Sequence, residues 1–92
     1  MKRVHILYSG QVQGVGFRYT AQDIAMSLGI TGWVKNLEDG RVEIVAEGKE
    51  KDLNEFLDKI SKGQLGRYIK NVELSWEKST GEFDVFDIRF DI

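Results

Sequence analysis

Val4, Ile6 and Tyr8 alternate with His5, Leu7 and Ser9 up to Gly10, the period of two that a strand with one buried face requires. From Thr20 the period changes. Ala21, Ile24, Ala25 and Leu28 recur at helical spacing, with Asp23 near the start and Gly29 at the stop, which predicts a short amphipathic helix. Residues 30–36 return to strand-like composition around Trp33 and Val34, Leu37-Glu38-Asp39-Gly40 supplies a tight turn, and Val42, Ile44 and Ala46 alternate after it. A hairpin is expected there. Leu53, Phe56, Leu57 and Ile60 form an i, i+3, i+4, i+7 stripe, with Lys59 and Lys62 near its end and Gly63 closing it, the most regular helix of the chain. Residues 64–68 read as a loop. Val72, Leu74 and Trp76 then alternate with Glu73, Ser75 and Glu77 in a strand with one polar face. After Ser79-Thr80-Gly81, the residues Phe83, Val85, Ile88 and Phe90 predict a last strand, in which Phe86 breaks the alternation and marks a bulge.

The predicted order is β-α-β-β-α-β followed by an extra strand. That order is the split βαβ, or ferredoxin-like, arrangement: an α+β sandwich with an antiparallel sheet and two helices on one of its faces, as a single domain over residues 1–92. In this topology the first strand runs up, the helix returns and the second strand climbs parallel to the first. The loop at residues 10–18 and Asn36 therefore belong at the same end of the sheet.

Composition narrows the chemistry. The 92 residues include no cysteine and a single histidine, His5, so there is no disulfide framework, thiolate metal site or thiol nucleophile, and His5 cannot form a metal site alone. Net charge is −2, from 13 basic and 15 acidic side chains, which speaks against a general nucleic-acid binder. The distribution is uneven, because residues 1–22 hold Lys2, Arg3 and Arg18 and no acid. The apolar run at residues 4–8 is too short for a signal core or a membrane span, so a soluble cytoplasmic protein is expected.

Between the first strand and the first helix stands Gly10-Gln11-Val12-Gln13-Gly14-Val15-Gly16-Phe17-Arg18. Glycines let successive backbone N–H groups converge on one point, the following helix adds its positive end, and a guanidinium can grip two oxygens of an anion. The Lys-Ser/Thr pair of a P-loop is missing. Glycines in a strand-to-helix turn also serve as steric punctuation alone, and it is the acid-free N-terminal stretch that favours anion binding.

Gly14-Val15-Gly16-Phe17-Arg18, preceded by Val12-Gln13, resembles the first signature of the acylphosphatases, and Gly32-Trp33-Val34-Lys35-Asn36-Leu37 followed by Asp39-Gly40 resembles their second. The resemblance runs from the first strand to Phe90 in the expected order. It implies hydrolysis of a small acyl phosphate to a carboxylate and inorganic phosphate, with no metal and no organic cofactor. By matching position, Arg18 binds the phosphoryl group, the Gly10–Phe17 loop surrounds it with amides, with Gln13, Gly14, Val15, Gly16 and Phe17 as its binding residues, and Asn36 orients the attacking water. The substrate phosphate is the proton acceptor commonly proposed for the family. A mixed anhydride suits such a site, because its carboxylate leaving group needs little help from a general acid. Gln11 stands where the family often has a basic residue, Glu38 where proline is frequent, and residues 64–68 lack the usual proline-rich character.

Plainer readings cover the remaining candidates. His5 reads as a strand-face histidine, Trp33, Trp76 and Tyr8 as packing, and Ser9 has no evident base. Tyr19 reads as packing too, with a place at the border of the expected substrate site, beside Arg18, as its second reading. An RNA-recognition module shares the element order, but residues 41–47 carry two acids and no stacking aromatics. A further reading is the acylphosphatase-like region of a hydrogenase-maturation carbamoyltransferase. The expectation is a free-standing monomer whose partner is a small acyl phosphate, without nucleic acid or membrane.

Overall fold

The computed structural model describes residues 1–90. Among these, β1 (Lys2–Gly10), α1 (Phe17–Ser27), β2 (Thr31–Asn36), β3 (Val42–Gly48), α2 (Glu50–Lys62), β4 (Ile69–Lys78) and β5 (Phe86–Arg89) follow in that order, with a 3₁₀ turn at Gly66–Tyr68 inside the predicted loop. The strands form one sheet in the order β4-β1-β3-β2-β5. Val4, Ile6 and Tyr8 of β1 and Val42, Ile44 and Ala46 of β3 turn to one face. Ala21 and Ala25 of α1 and Leu53, Phe56 and Ile60 of α2 close over them, so the two periods seen in the chain meet in a single core. No helix among the described residues is long and apolar enough to cross a membrane.

The α+β ferredoxin-like architecture is as expected, with two differences at its borders. The first helix begins at Phe17 rather than Thr20, behind an N-cap, Gly16, in the left-handed region at φ 77°. No Ser, Thr, Asp or Asn marks that start, so the usual side-chain cap signal is absent from the sequence. The second difference is that the sheet is mixed rather than wholly antiparallel, because β5 pairs with β2 in parallel, Gly32 opposite Phe86 and Val34 opposite Ile88. β4 descends beside β1 to the end of the sheet opposite the β1–α1 loop. The chain then crosses under the sheet through residues 79–85 and can only ascend beside β2. β5 is shorter than the predicted strand, and Phe86 is not a bulge but its first inward residue, buried and 6.1 Å from Phe56 between ring centroids.

The crossing is held by a buried acid. Glu47, only 2% exposed at the end of β3, accepts hydrogen bonds from the Thr80 N–H (2.9 Å), the Thr80 hydroxyl (3.1 Å) and the Gly81 N–H (3.0 Å). Arg3 lies 3.6 Å away, bridges onward to Glu82 at 2.9 Å and stacks on Phe83. Burial raises the carboxyl pKa, but the donors from Thr80 and Gly81 and the Arg3 charge outweigh it and hold Glu47 below the usual glutamate range. A depressed folded-state pKa contributes stability that is present above the unfolded value of 4.5 and lost as pH falls through the folded value. Glu47→Gln is therefore expected to destabilise the protein by about 2–3 kcal/mol near neutrality. It should also flatten the acid limb of stability against pH in urea melts. An unchanged acid limb would assign the acid sensitivity to other carboxylates.

Along β4, Val72, Leu74 and Trp76 face the same side as their partners Tyr8, Ile6 and Val4, yet they remain 41–44% exposed. As the edge strand, β4 is only half covered, so the predicted apolar face exists but is not sealed.

Candidate active site

β1 and β2 are both antiparallel to β3, hence parallel to each other, and their C-terminal ends share one rim. The chain leaving β1 is pinned at its start by the Gln11 N–H donating to the Tyr68 carbonyl at 3.0 Å, and Val12 is buried. Gly14 and Gly16 then take φ values of 79° and 77°, left-handed backbone that costs a side-chain-bearing residue about 1–2 kcal/mol. These two turns bring the chain back toward β2 and start α1.

The first intrahelical bond of α1 runs from the Thr20 N–H to the Gly16 carbonyl at 3.0 Å. The N–H groups of Phe17, Arg18 and Tyr19 therefore precede the helical ladder and need acceptors from outside it. No acidic residue lies in the first turn, and no side chain caps it. Instead Arg18 places a second positive charge at the positive end of the helix dipole, a placement that disfavours the helix unless an anion joins it.

Opposite this turn, β2 ends at Asn36. A cavity of about 130 Å³ lies between the two, lined by Val12, Gly14, Gly16, Phe17, Arg18, Tyr19 and Asn36. The Asn36 Oδ1 is buried and has no hydrogen-bond partner among the described residues. A buried acceptor of this kind costs about 1–3 kcal/mol unless a donor meets it. The Arg18 guanidinium rests on the face of Phe90, 5.0 Å from the ring centroid, and no carboxylate among the described residues comes within 4.0 Å of it. Two wider depressions exist elsewhere. One runs along α2 at Asn54, Leu57 and Ser61, the other between α1 and β5 at Met26 and Val85, and neither brings a cation, a free acceptor and unpaired N–H groups together.

Of the residues expected at the site, Gly14, Gly16, Phe17, Arg18 and Asn36 line this one cavity. Gln13 and Val15 do not: the Gln13 side chain turns to the β2–β3 connection, and Val15 packs on the core. Only their backbone is available to the loop. Val12, within the loop expected to surround the phosphoryl group, lines the cavity as well. Phe90 is the residue the sequence does not point to: it reads as strand-forming, with nothing in the pattern to place its ring under a guanidinium. Tyr19 lines the cavity beside Arg18, as its neighbourhood in the chain indicates. His5 lies on the open face of the sheet, 2.6 Å from the Glu43 carboxylate with Lys35 near the same acid, and takes no part in the cavity. Among the described residues no group of three or more His, Cys, Asp and Glu could hold a metal ion.

The acylphosphatase family model matches residues 4–88. The chain belongs to the acylphosphatase family. An acylphosphatase of Methanospirillum hungatei is 52% identical over 92 residues, covering 99% of this chain and all of that one. The crystal structure of the Bacillus subtilis acylphosphatase superposes with a TM-score of 0.90 at 38% identity, over 97% of this chain and 99% of that one. A HypF structure from T. kodakarensis matches with a TM-score of 0.83 at 36% identity, but over only 12% of that larger chain. Likeness from end to end to whole acylphosphatases makes this chain an enzyme that hydrolyses acyl phosphates to a carboxylate and inorganic phosphate.

Proposed function

We propose that the cavity between α1 and β2 is where this acylphosphatase works, with Arg18 and the backbone N–H groups of residues 13–18 holding the phosphoryl group and Asn36 holding the water. The observation that carries the reading is the pairing, in one small cavity, of a cation at an uncapped helix start with a buried, unpartnered carboxamide oxygen. Arg18 supplies two directed donors and a positive charge. The loop N–H groups surround the remaining equatorial oxygens, where charge accumulates as the P–O bond to the carboxylate breaks. Asn36 Oδ1 accepts a hydrogen bond from the water and so aims its lone pair at phosphorus from the side opposite the leaving carboxylate. The acyl carboxylate departs without a proton, and a phosphate oxygen takes the proton that the water sheds.

In this reading the working unit is a monomer. Glu43 and Glu73 on the open sheet face engage His5, Lys35 and Arg41, which supports a small-molecule partner rather than a nucleic acid. The test is titration with inorganic phosphate, the product, followed by amide NMR. The largest shifts are expected at residues 14–19, and phosphate should inhibit benzoyl phosphate hydrolysis competitively. Shifts confined to other surfaces, or non-competitive inhibition, would remove phosphate from this cavity.

A further inference from the structure

The Gln13 side chain has a use of its own. Its Nε2 donates to the Leu37 carbonyl at 2.8 Å and to the Arg41 carbonyl at 3.0 Å. Two carbonyl oxygens converge on the amide, so the NH₂ end and not the oxygen must face them, and both of its hydrogens are used. Those carbonyls are already the fixed points of the turn that follows Asn36. The Leu37 N–H donates to the Arg41 carbonyl at 2.8 Å, and the Gly40 N–H to the Leu37 carbonyl at 3.2 Å. One primary amide thus bolts the anion-binding loop to a closed turn whose first residue is bonded directly to Asn36. On its other side the loop is hydrogen-bonded through backbone, from the Gln11 N–H to the Tyr68 carbonyl.

We infer that Gln13 is a positioning residue that sets the spacing between the phosphate cradle and Asn36, and that it acts on turnover rather than on phosphate affinity. This rests on the site reading above. Phosphate is gripped by groups within residues 13–18, which move together if the bolt is lost. The water is held from β2, so the relation between water and phosphorus is what slackens. In-line attack is sensitive to displacements of an ångström.

The experiment measures kcat for benzoyl phosphate and the inhibition constant of inorganic phosphate in Gln13→Met, Gln13→Asn and Gln13→Lys. Methionine keeps the shape and loses the donors, asparagine keeps the amide on a shorter stem, and lysine can donate to both carbonyls. The methionine and asparagine variants are expected to lose about 10-fold or more in kcat, with the phosphate constant within about 3-fold of wild type. The lysine variant should recover turnover to within about 3-fold. Should the methionine variant fail to fold, as judged by circular dichroism, the asparagine variant carries the comparison. Wild-type kcat in both the methionine and the asparagine variants overturns the inference. So does a phosphate constant that rises in step with the loss of kcat, which makes Gln13 a phosphate ligand, and so does a lysine variant as slow as methionine. Asn36→Ala measured alongside separates the levels. Retained turnover there defeats the site reading and this inference with it, whereas lost turnover there beside unimpaired Gln13 variants defeats this inference alone.

Discussion

Replacing Arg18 by alanine is expected to lower kcat/KM for benzoyl phosphate by about 1,000-fold or more while the protein stays folded. Among the described residues the guanidinium is the one side-chain cation lining the cavity, and it stands where the dipole of α1 already opposes a positive charge. Its removal relieves the helix of that opposed charge and, in the proposed site, takes charge and two donors from the phosphoryl oxygens. Because the same contacts hold inorganic phosphate, the phosphate inhibition constant should rise with the loss of rate, and thermal stability should be unchanged or slightly higher. Arg18→Lys should recover only part of the rate, since an ammonium offers a point charge without the planar fork. The lysine stem would also lose the flat stacking on Phe90 that now orients the guanidinium. Phosphate inhibition in Arg18→Ala equal to that of wild type would take Arg18 out of the cradle.

The parts of this site were legible in the sequence to different depths, for physical reasons. Alternation in β1 and the stripe of α2 are local signals set by burial, and they predict those elements well. Strand direction then follows from connection order, so Arg18 and Asn36 could be placed on a common rim without coordinates. The start of α1 was less visible, because a glycine in left-handed backbone replaces the usual polar cap. The parallel pairing of β5 depends on where residues 79–85 travel, and that route is set by Glu47 receiving two backbone N–H groups from a segment more than thirty residues away. No periodicity records such a contact. Gln13 is the clearest case: within its motif it reads as one more residue of the anion loop, and only the positions of two distant carbonyls show that its amide turns to the connection between β2 and β3.

Asn36→Ala should separate catalysis from folding more sharply than any other change in the protein. Turnover is expected to fall by about 100- to 1,000-fold, with the phosphate inhibition constant within about 3-fold of wild type, because in the proposed site alanine removes the acceptor that aims the water and leaves the cradle whole. Stability should change little. The Asn36 Oδ1 makes no hydrogen bond to another described residue, so alanine breaks no bond within the protein through that atom and loses only the packing of the carboxamide. The midpoint of thermal unfolding is therefore expected to stay close to that of wild type while activity collapses. Asn36→Asp should be no rescue, since a carboxylate facing the phosphoryl dianion repels the group it is meant to serve. A fall in melting temperature that tracks the fall in kcat would instead make Asn36 a structural residue of the β2–β3 turn, and the water would have to be held by another group.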